Sequence, residues 1–198
     1  LFAGSFEKHL TVEFDLTAGQ AKDVAARAKK KYREIIAKLP EFDKRDRFEM
    51  NIVNCAMLAA FILCMPQRPD IKTLTDYYAA AMMTPTMKAF CRASGKKKFT
   101  PKDIEGMKAT AKLRAGDRNP YSWNMDFFEY EDGSGYEARF TTCGICTLMQ
   151  VLGLYDLTPA LCHLDYTMSD AGGASDFVRE YTLASGGPYC DCGYHKKQ

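Results

Sequence analysis

The sequence has neither an excess of charge of one sign nor a long apolar run. Lys and Arg total 27 against 25 for Asp and Glu, so the formal net charge is +2. This balance argues against nucleic acid or a membrane surface as a partner, because both attract a concentrated basic patch. The longest apolar stretch, residues 55–65, is far shorter than the roughly 20 residues that a membrane-spanning helix needs. We therefore predict neither nucleic acid nor a membrane as a partner, and a homodimer is left open.

Other familiar patterns are also absent from the sequence. There is no internal repeat and no low-complexity tract, so we predict one domain over residues 1–198. No Gly-rich dinucleotide fingerprint follows a predicted strand, which argues against a reductase that uses a nicotinamide cofactor. No signal-peptide pattern is recognised at the N-terminus. No cofactor is predicted.

The eight cysteines need not form disulfides, because 46% of the 198 residues are hydrophobic and can bury a core without them. Cys55, Cys64 and Cys91 lie among apolar residues of predicted helices, where a free thiol packs as a small hydrophobe. We therefore predict reduced thiols and a cytoplasmic protein.

Apolar residues at helical spacing, together with capping residues, predict a mainly helical segment 1–118. The exception is Thr11-Val-Glu-Phe-Asp15, which favours a brief strand or an ordered arm. The predicted helices run from Thr17 to before Pro40, from Asp43 to Met65, from Asp70 to Met83, onward from Thr84-Pro85, and from Thr100 to about Ala115.

Residues 119–198 predict a hairpin, two helices and a second hairpin. Together the two halves predict an α+β fold, in which the helical half packs on a four-stranded antiparallel sheet. The predicted strands are Ser122–Tyr130, Tyr136–Thr142, Asp176–Ala184 and Tyr189–Lys196, and the predicted helices between them are Ile145–Leu152 and Pro159–Ser169.

Chemistry-bearing side chains are concentrated between Cys143 and Cys192. Cys143 lies where a strand turns into a helix, and the positive helix end there should lower the pKa of its thiol. Cys162 and Asp165 are three residues apart on a predicted helix and therefore neighbours, and the apolar stripe beside them should raise the pKa of the carboxyl group, which suits proton transfer. Strand alternation places Cys190 and Cys192 on one face.

Two other interpretations of these cysteines are open: they are core residues, or they bind zinc. Cys143-Gly-Ile-Cys146 has a zinc-like spacing, and Cys162 and Cys190 could complete four ligands, although Cys190-Asp-Cys192 is poorly spaced for a zinc knuckle. A redox pair of the thioredoxin type needs a βαβ unit, which is not predicted.

Arg139 and Arg179 lie on predicted strands. Each could point inward and hold a substrate carboxylate with two hydrogen bonds, or point outward in a cross-strand pair. The sequence does not decide between these orientations.

Four segments together resemble one family. They are Cys143-Gly-Ile-Cys146, Leu161-Cys-His-Leu-Asp165-Tyr166, Arg179-Glu-Tyr-Thr182 and Gly186-Gly-Pro-Tyr-Cys190-Asp-Cys192. The chain is similar in these segments to the L-2-amino-thiazoline-4-carboxylic acid hydrolase family, and more remotely to small-molecule-binding domains of the 4-vinyl-reductase type. The family commonly has Pro at the position of Gly144.

The resemblance implies a role in cysteine metabolism, in which a 2-amino-thiazoline ring that carries a carboxylate is hydrolysed to a carbamoyl-cysteine product. On this hypothesis Cys143 or Cys162 is the nucleophile, Asp165 is the acid or base, and Cys190 supports the pocket. Arg179, with Arg139 and Thr182, would bind the substrate. Water activated by Asp165 is the alternative to a cysteine nucleophile, and a non-enzymatic sensor domain with the same pocket, with or without structural zinc, is the alternative function.

Overall fold

The computed structural model describes residues 2–116 and 118–197. Helices dominate the first half of the described chain, as predicted. Their bounds are α1 Ala3–Glu13, α2 Ala18–Ile36, α3 Glu49–Cys64, α4 Ile71–Met82, α5 Pro85–Gly95 and α6 Pro101–Arg114.

The predicted N-caps explain where four of these helices begin. Thr17 forms a capping box with Gln20 at the start of α2. The side chains of Asp70, Thr84 and Thr100 each accept a hydrogen bond from the backbone N–H three residues later, so they satisfy a donor that the first helical turn leaves free.

Two predictions in this half are wrong. Thr11–Asp15 is neither a strand nor an arm, because residues 3–13 form α1, which buries Phe6 and Leu10 one helical turn apart. Helix α3 begins at Glu49 rather than Asp43. Before it, the buried carboxylate of Asp46 accepts a hydrogen bond from Ser122 Oγ (2.6 Å) and lies 3.1 Å from Arg114 Nη1.

The second half contains the predicted four-stranded antiparallel sheet, in the order β1-β2-β4-β3. It consists of two hairpins, β1 with β2 and β3 with β4, and the central pair β2–β4 joins them. The strands are β1 Asp126–Glu129, β2 Gly135–Phe140, β3 Ser175–Val178 and β4 Cys190–Lys196.

Strand β3 is shorter than predicted because a side chain of β4 takes the hydrogen bonds that would extend it. The Asp191 carboxylate accepts from the backbone N–H of Glu180 (2.8 Å) and of Tyr181 (2.6 Å). The chain therefore leaves the sheet after Val178, and residues 183–185 form a short 3₁₀ turn instead of a strand.

The helices between the hairpins are α7 Gly144–Val151, α8 Thr158–Cys162 and α9 Leu164–Gly172. The predicted continuous helix 159–169 is wrong, because the chain breaks at His163 between α8 and α9. At the break the Tyr166 N–H bonds the carbonyl of His163 rather than that of Cys162. The Cys162 carbonyl is thus available to another donor.

Helix α3 lies at the centre of the main core and is buried on most of its surface, as predicted; Ile52, Ala56, Leu58 and Ala59 are fully buried. A smaller apolar cluster of Met125, Ala138, Phe177 and Cys192 lies on the inner face of the sheet. None of the helices in the described part of the chain is long and apolar enough to span a membrane.

Candidate active site

Cys143 is the N-cap residue of α7, at the end of the loop that follows β2. The next residue, Gly144, packs so closely on the backbone of Tyr121 that a Cβ atom would lie 2.1 Å from the Tyr121 carbonyl oxygen. Glycine is therefore required here by packing, which explains why this chain does not carry proline. The contact fixes the start of α7, and with it the position of the Cys143 thiol.

The environment of Cys143 favours the thiolate, in the direction that its helix-start position predicts. The Cys146 thiol is the main cause of the lowered pKa of Cys143, and the N–H groups of Cys146 and Ile145 and the side chain of Trp123 act the same way, although burial opposes them. Conversely, the Cys143 thiolate and burial raise the pKa of Cys146.

The other cysteines are held as neutral thiols. Burial raises the pKa of Cys162, and it does so for Cys190 although the Leu183 N–H donates to the Cys190 sulfur (3.2 Å). Of the eight cysteines, all within the described residues, Cys143 alone has a lowered pKa. The thiolate is the reactive form, so Cys143 is the best candidate nucleophile.

Arg179 connects the segment after β3 to the break between α8 and α9. Its Nη1 donates to the Cys162 carbonyl (2.9 Å), and its Nη2 donates to the Asp165 carboxylate and to the Cys192 sulfur (2.9 Å). The Arg179 side chain is only 6% exposed, whereas that of Asp165 is 45% exposed. Asp165 is therefore a partly solvated, ion-paired carboxylate and not the dry one that the apolar stripe suggested.

One donor of Arg179 stays free. Its Nε–H is buried and has no hydrogen-bond partner among the described residues. A buried donor without a partner is costly, and a ligand that accepts from it would recover that cost. This one donor is therefore available to a ligand, whereas the other donors of the side chain that form hydrogen bonds are engaged by the protein itself.

Two cavities lie on either side of this ion pair. The cysteine cavity, of about 210 Å³, is lined by Cys162, Arg179 and Thr182, together with Pro159, His163, Tyr166, Glu180 and Ser185. The lysine cavity, of about 280 Å³, is named for Lys98 and is also lined by Asp165 and by residues of α5, α6 and the sheet. The predicted residues are thus neighbours, but Asp165 and Cys162 face different cavities.

Cys143, Cys146 and Cys190 line neither cavity, but they lie beneath the turn that borders the cysteine cavity. Cys190 accepts from the Leu183 N–H in this turn, and the Leu183 carbonyl accepts from Tyr155 Oη (3.1 Å), which also interacts with Cys146. Thr182 Oγ1 caps the turn by accepting from the Ser185 N–H (3.1 Å).

The thiols of Cys143, Cys146, Cys162 and Cys190 influence one another electrostatically. Nevertheless, no three Cys, His, Asp or Glu side chains among residues 2–116 and 118–197 are arranged to hold a metal ion. The zinc set that the spacing suggested is therefore not assembled as a ligand group.

Arg139 is not brought to the site. It pairs across β2–β4 with Asp191, on the face opposite to Cys190 and Cys192. Its guanidinium donates to Glu137 (2.8 Å) and lies 4.3 Å from the ring centroid of Tyr189. This is the outward orientation that the sequence left open.

Sequence reasoning missed the residues of the lysine cavity. No sequence pattern assigns Lys98 or Asp103 to a site, yet both line this cavity with Tyr136 and Tyr194. One signal was available, because alternation along β2 and β4 turns Tyr136 and Tyr194 toward the same face as Cys192. Nothing in the local sequence shows that Lys98 reaches them.

With this geometry in place, comparison with protein families is informative. The model of the L-2-amino-thiazoline-4-carboxylic acid hydrolase family matches residues 45–194, well over half of the chain. The chain belongs to this family. The match covers the cysteine cluster, the Arg179 segment and both cavities. No curated protein and no solved structure matches the chain.

Proposed function

We propose that the protein is a hydrolase that opens the ring of a 2-amino-thiazoline-4-carboxylate and gives a carbamoyl-cysteine product, with Cys143 as the nucleophile. The observation that carries this proposal is the environment of Cys143, the one cysteine of eight whose pKa is lowered. Membership of the family supports the substrate class.

The reacting carbon of the ring is bonded to two nitrogens and one sulfur. In the first step the Cys143 thiolate attacks this carbon, and the carbon–sulfur bond of the ring breaks. The released ring sulfur takes a proton from water, and the carbon stays bonded to Cys143 as a neutral isothiourea. The substrate remains attached through its ring nitrogen, so the intermediate has the mass of protein plus substrate.

In the second step water attacks the same carbon, and Asp165 accepts the proton of that water. The bond to the Cys143 sulfur then breaks, which regenerates the thiolate and leaves a urea group on the product. The net change is the addition of one water molecule. The ion pair with Arg179 holds Asp165 at the boundary between the two cavities, and its side chain is half exposed, so it can pass this proton to solvent.

The substrate carboxylate is assigned to the cysteine cavity. Cys143 does not line this cavity, so the turn 182–185 must move to let the ring reach its thiolate. The free Nε–H of Arg179 would donate to the substrate carboxylate, and Thr182 lies on the same wall. Cys162 lines the cavity as a neutral thiol, and Cys190 holds the turn 182–185 in place through Leu183.

The decisive assay follows the appearance of a free thiol and a mass gain of one water when L-2-amino-thiazoline-4-carboxylate is supplied. We expect Cys143→Ala and Asp165→Asn each to lower the rate by about a hundredfold or more. Cys64→Ser is the matched control, since this thiol is buried against α2 and far from the cluster in sequence, and it should keep the wild-type rate.

Rates close to wild type in both Cys143→Ala and Asp165→Asn would reject the mechanism. Full loss in Asp165→Asn alone, with no protein-bound substrate detected by mass spectrometry, would instead favour direct attack by water. A purified protein that binds the substrate without releasing thiol would favour the sensor function, for which the neutral thiol of Cys162 in the cavity is the supporting observation.

A further inference from the structure

The lysine cavity contains a cation that the proposed mechanism does not use. The Lys98 ammonium lies 3.2 Å from the ring centroid of Tyr194 and 5.5 Å from that of Tyr136. Within the described ranges it forms no ion pair and donates no hydrogen bond, so its only partners are the aromatic faces. A cation–π contact stabilises a positive charge but leaves the N–H donors of the ammonium available to an anion.

The acids near Lys98 are already engaged. Asp103 Oδ2 accepts from the Phe99 N–H (2.9 Å) and from Tyr136 Oη (3.0 Å), and Asp165 is paired with Arg179. Arg47, at the edge of the cavity, contacts only uncharged groups in the described chain, namely Thr110 Oγ1 (3.2 Å) and Met107 sulfur. The cavity therefore presents two cations that form no ion pair with a carboxylate of residues 2–116 and 118–197.

The backbone beside Lys98 is held in an unusual conformation. Phe99 has a φ of +63°, in the left-handed region that a bulky side chain rarely adopts. The hydrogen bond from its N–H to Asp103 and the packing of its ring on Tyr136 (5.0 Å between centroids) hold it there. Such conformations cost free energy and are concentrated at binding and catalytic sites. Here the strained residue directs Lys98 into the cavity.

We propose that the lysine cavity is a second ligand site, which binds a small organic acid with a flat unsaturated ring, its carboxylate held by Lys98 and Arg47. The apolar part of the wall, which includes Phe90, Met107 and Met168, would cover the ring. The volume of about 280 Å³ suits one small ligand, and the Asp165–Arg179 pair separates this ligand from the cysteine cavity.

The test uses benzoate as the probe and benzamide as its uncharged analogue, with binding measured by calorimetry on the whole protein. Benzoate should bind in the micromolar to millimolar range, and benzamide at least tenfold more weakly. Lys98→Met should weaken benzoate at least tenfold, whereas Lys97→Met, the same change on an exposed neighbour, should not alter it. Cys162→Ser should also leave benzoate binding unchanged.

A second readout does not depend on how well the variants fold. Burial lowers the pKa of Lys98 to about 8, against the influence of Asp103, Cys192 and Asp165, and Tyr136 and Tyr194 are the other titratable groups that contact it. A bound carboxylate stabilises the ammonium, so benzoate should raise the midpoint of the Lys98 signal in NMR of ¹³C-methylated lysines. In wild type, affinity should fall as the pH rises through about 8.

The proposal is overturned if benzoate and benzamide bind equally, if Lys98→Met and Lys97→Met have the same effect, or if benzoate does not bind at all. Competition between benzoate and the thiazoline substrate, lost in Cys162→Ser, would place the anion in the cysteine cavity and also overturn it. None of these outcomes depends on turnover, so a failure here is distinct from a failure of the hydrolase proposal.

Discussion

Burial shifts pKa values in opposite directions on the two sides of the Asp165–Arg179 ion pair, because it favours the neutral form of thiols and of an amine alike. On the cysteine side it keeps Cys162 and Cys190 as uncharged thiols, so that reactivity is confined to Cys143, where hydrogen-bond donors at a helix start overcome it. On the lysine side it lowers the pKa of Lys98 to about 8 and leaves a cation in need of an anion. The same physical cause thus prepares one side for chemistry and the other for binding.

The largest change in stability should come from replacing Arg179, whose ion pair with Asp165 separates the two cavities. Arg179→Met removes the donors to the Cys162 carbonyl, Asp165 and Cys192, and leaves the Cys162 carbonyl without its partner. We expect a loss of about 2–4 kcal/mol in the free energy of unfolding, measured by urea denaturation. Arg139→Met is the matched control on the outer face, where its partly exposed pair with Glu137 should contribute about 0–1 kcal/mol. Equal losses in the two variants would show that Arg179 does not form a structural wall.

A smaller loss of stability is expected from moving the start of α7, which positions Cys143, without changing the lysine cavity. Gly144→Ala places a Cβ atom against the Tyr121 backbone, so the start of α7 must move, at a cost of about 1–3 kcal/mol. Gly106→Ala, in α6 with open space around it, should instead stabilise by about 0.5–1 kcal/mol. If Gly144→Ala is as stable as wild type and keeps its activity, the position of Cys143 does not depend on this contact.

The smallest effect is spectroscopic and sharpens the contrast among the thiols. The thiolate absorbance of Cys143 should develop below the ordinary thiol pKa of 9.0, because its thiolate is stabilised, and that of Cys162 should develop above it. Titration of Cys143→Ser and Cys162→Ser against wild type separates the two contributions. A Cys162 thiolate that forms at lower pH than that of Cys143 would reverse the assignment of the nucleophile.

Much of the fold can be predicted from the sequence because its signals are local. Thr17, Asp70, Thr84 and Thr100 cap the helices that they were predicted to start, and alternation in β4 correctly places Cys190 and Cys192 on one face, which the structure shows to be buried. The segment 11–15 misled because its β-branched and aromatic residues favour a strand, while burial of Phe6 and Leu10 against the rest of the core decides for a helix.

The candidate site was predictable only in part, for the same reason. The helix-start position of Cys143 is a local feature, and the sequence gives the direction of its pKa shift. The ion pair that withdraws Asp165 from an apolar environment depends on Arg179, which is 14 residues away in the chain. Lys98 depends on still more distant partners, Tyr136 and Tyr194, and on the left-handed backbone of Phe99, so no local pattern could indicate its role.

Because side chains alternate in Cys190-Asp-Cys192, one short stretch of β4 both places two thiols in the interior and holds the neighbouring segment from the outside. The two sulfurs point toward the interior, and the carboxylate between them points outward and shapes the segment that begins at Arg179. An insertion or deletion of a single residue in this tripeptide would exchange the two directions. The Asp191 carboxylate would then point into the interior in place of a thiol. The segment that begins at Arg179 would also lose its two backbone hydrogen bonds to that carboxylate. Evolution can therefore vary this strand by substitution, but hardly by length.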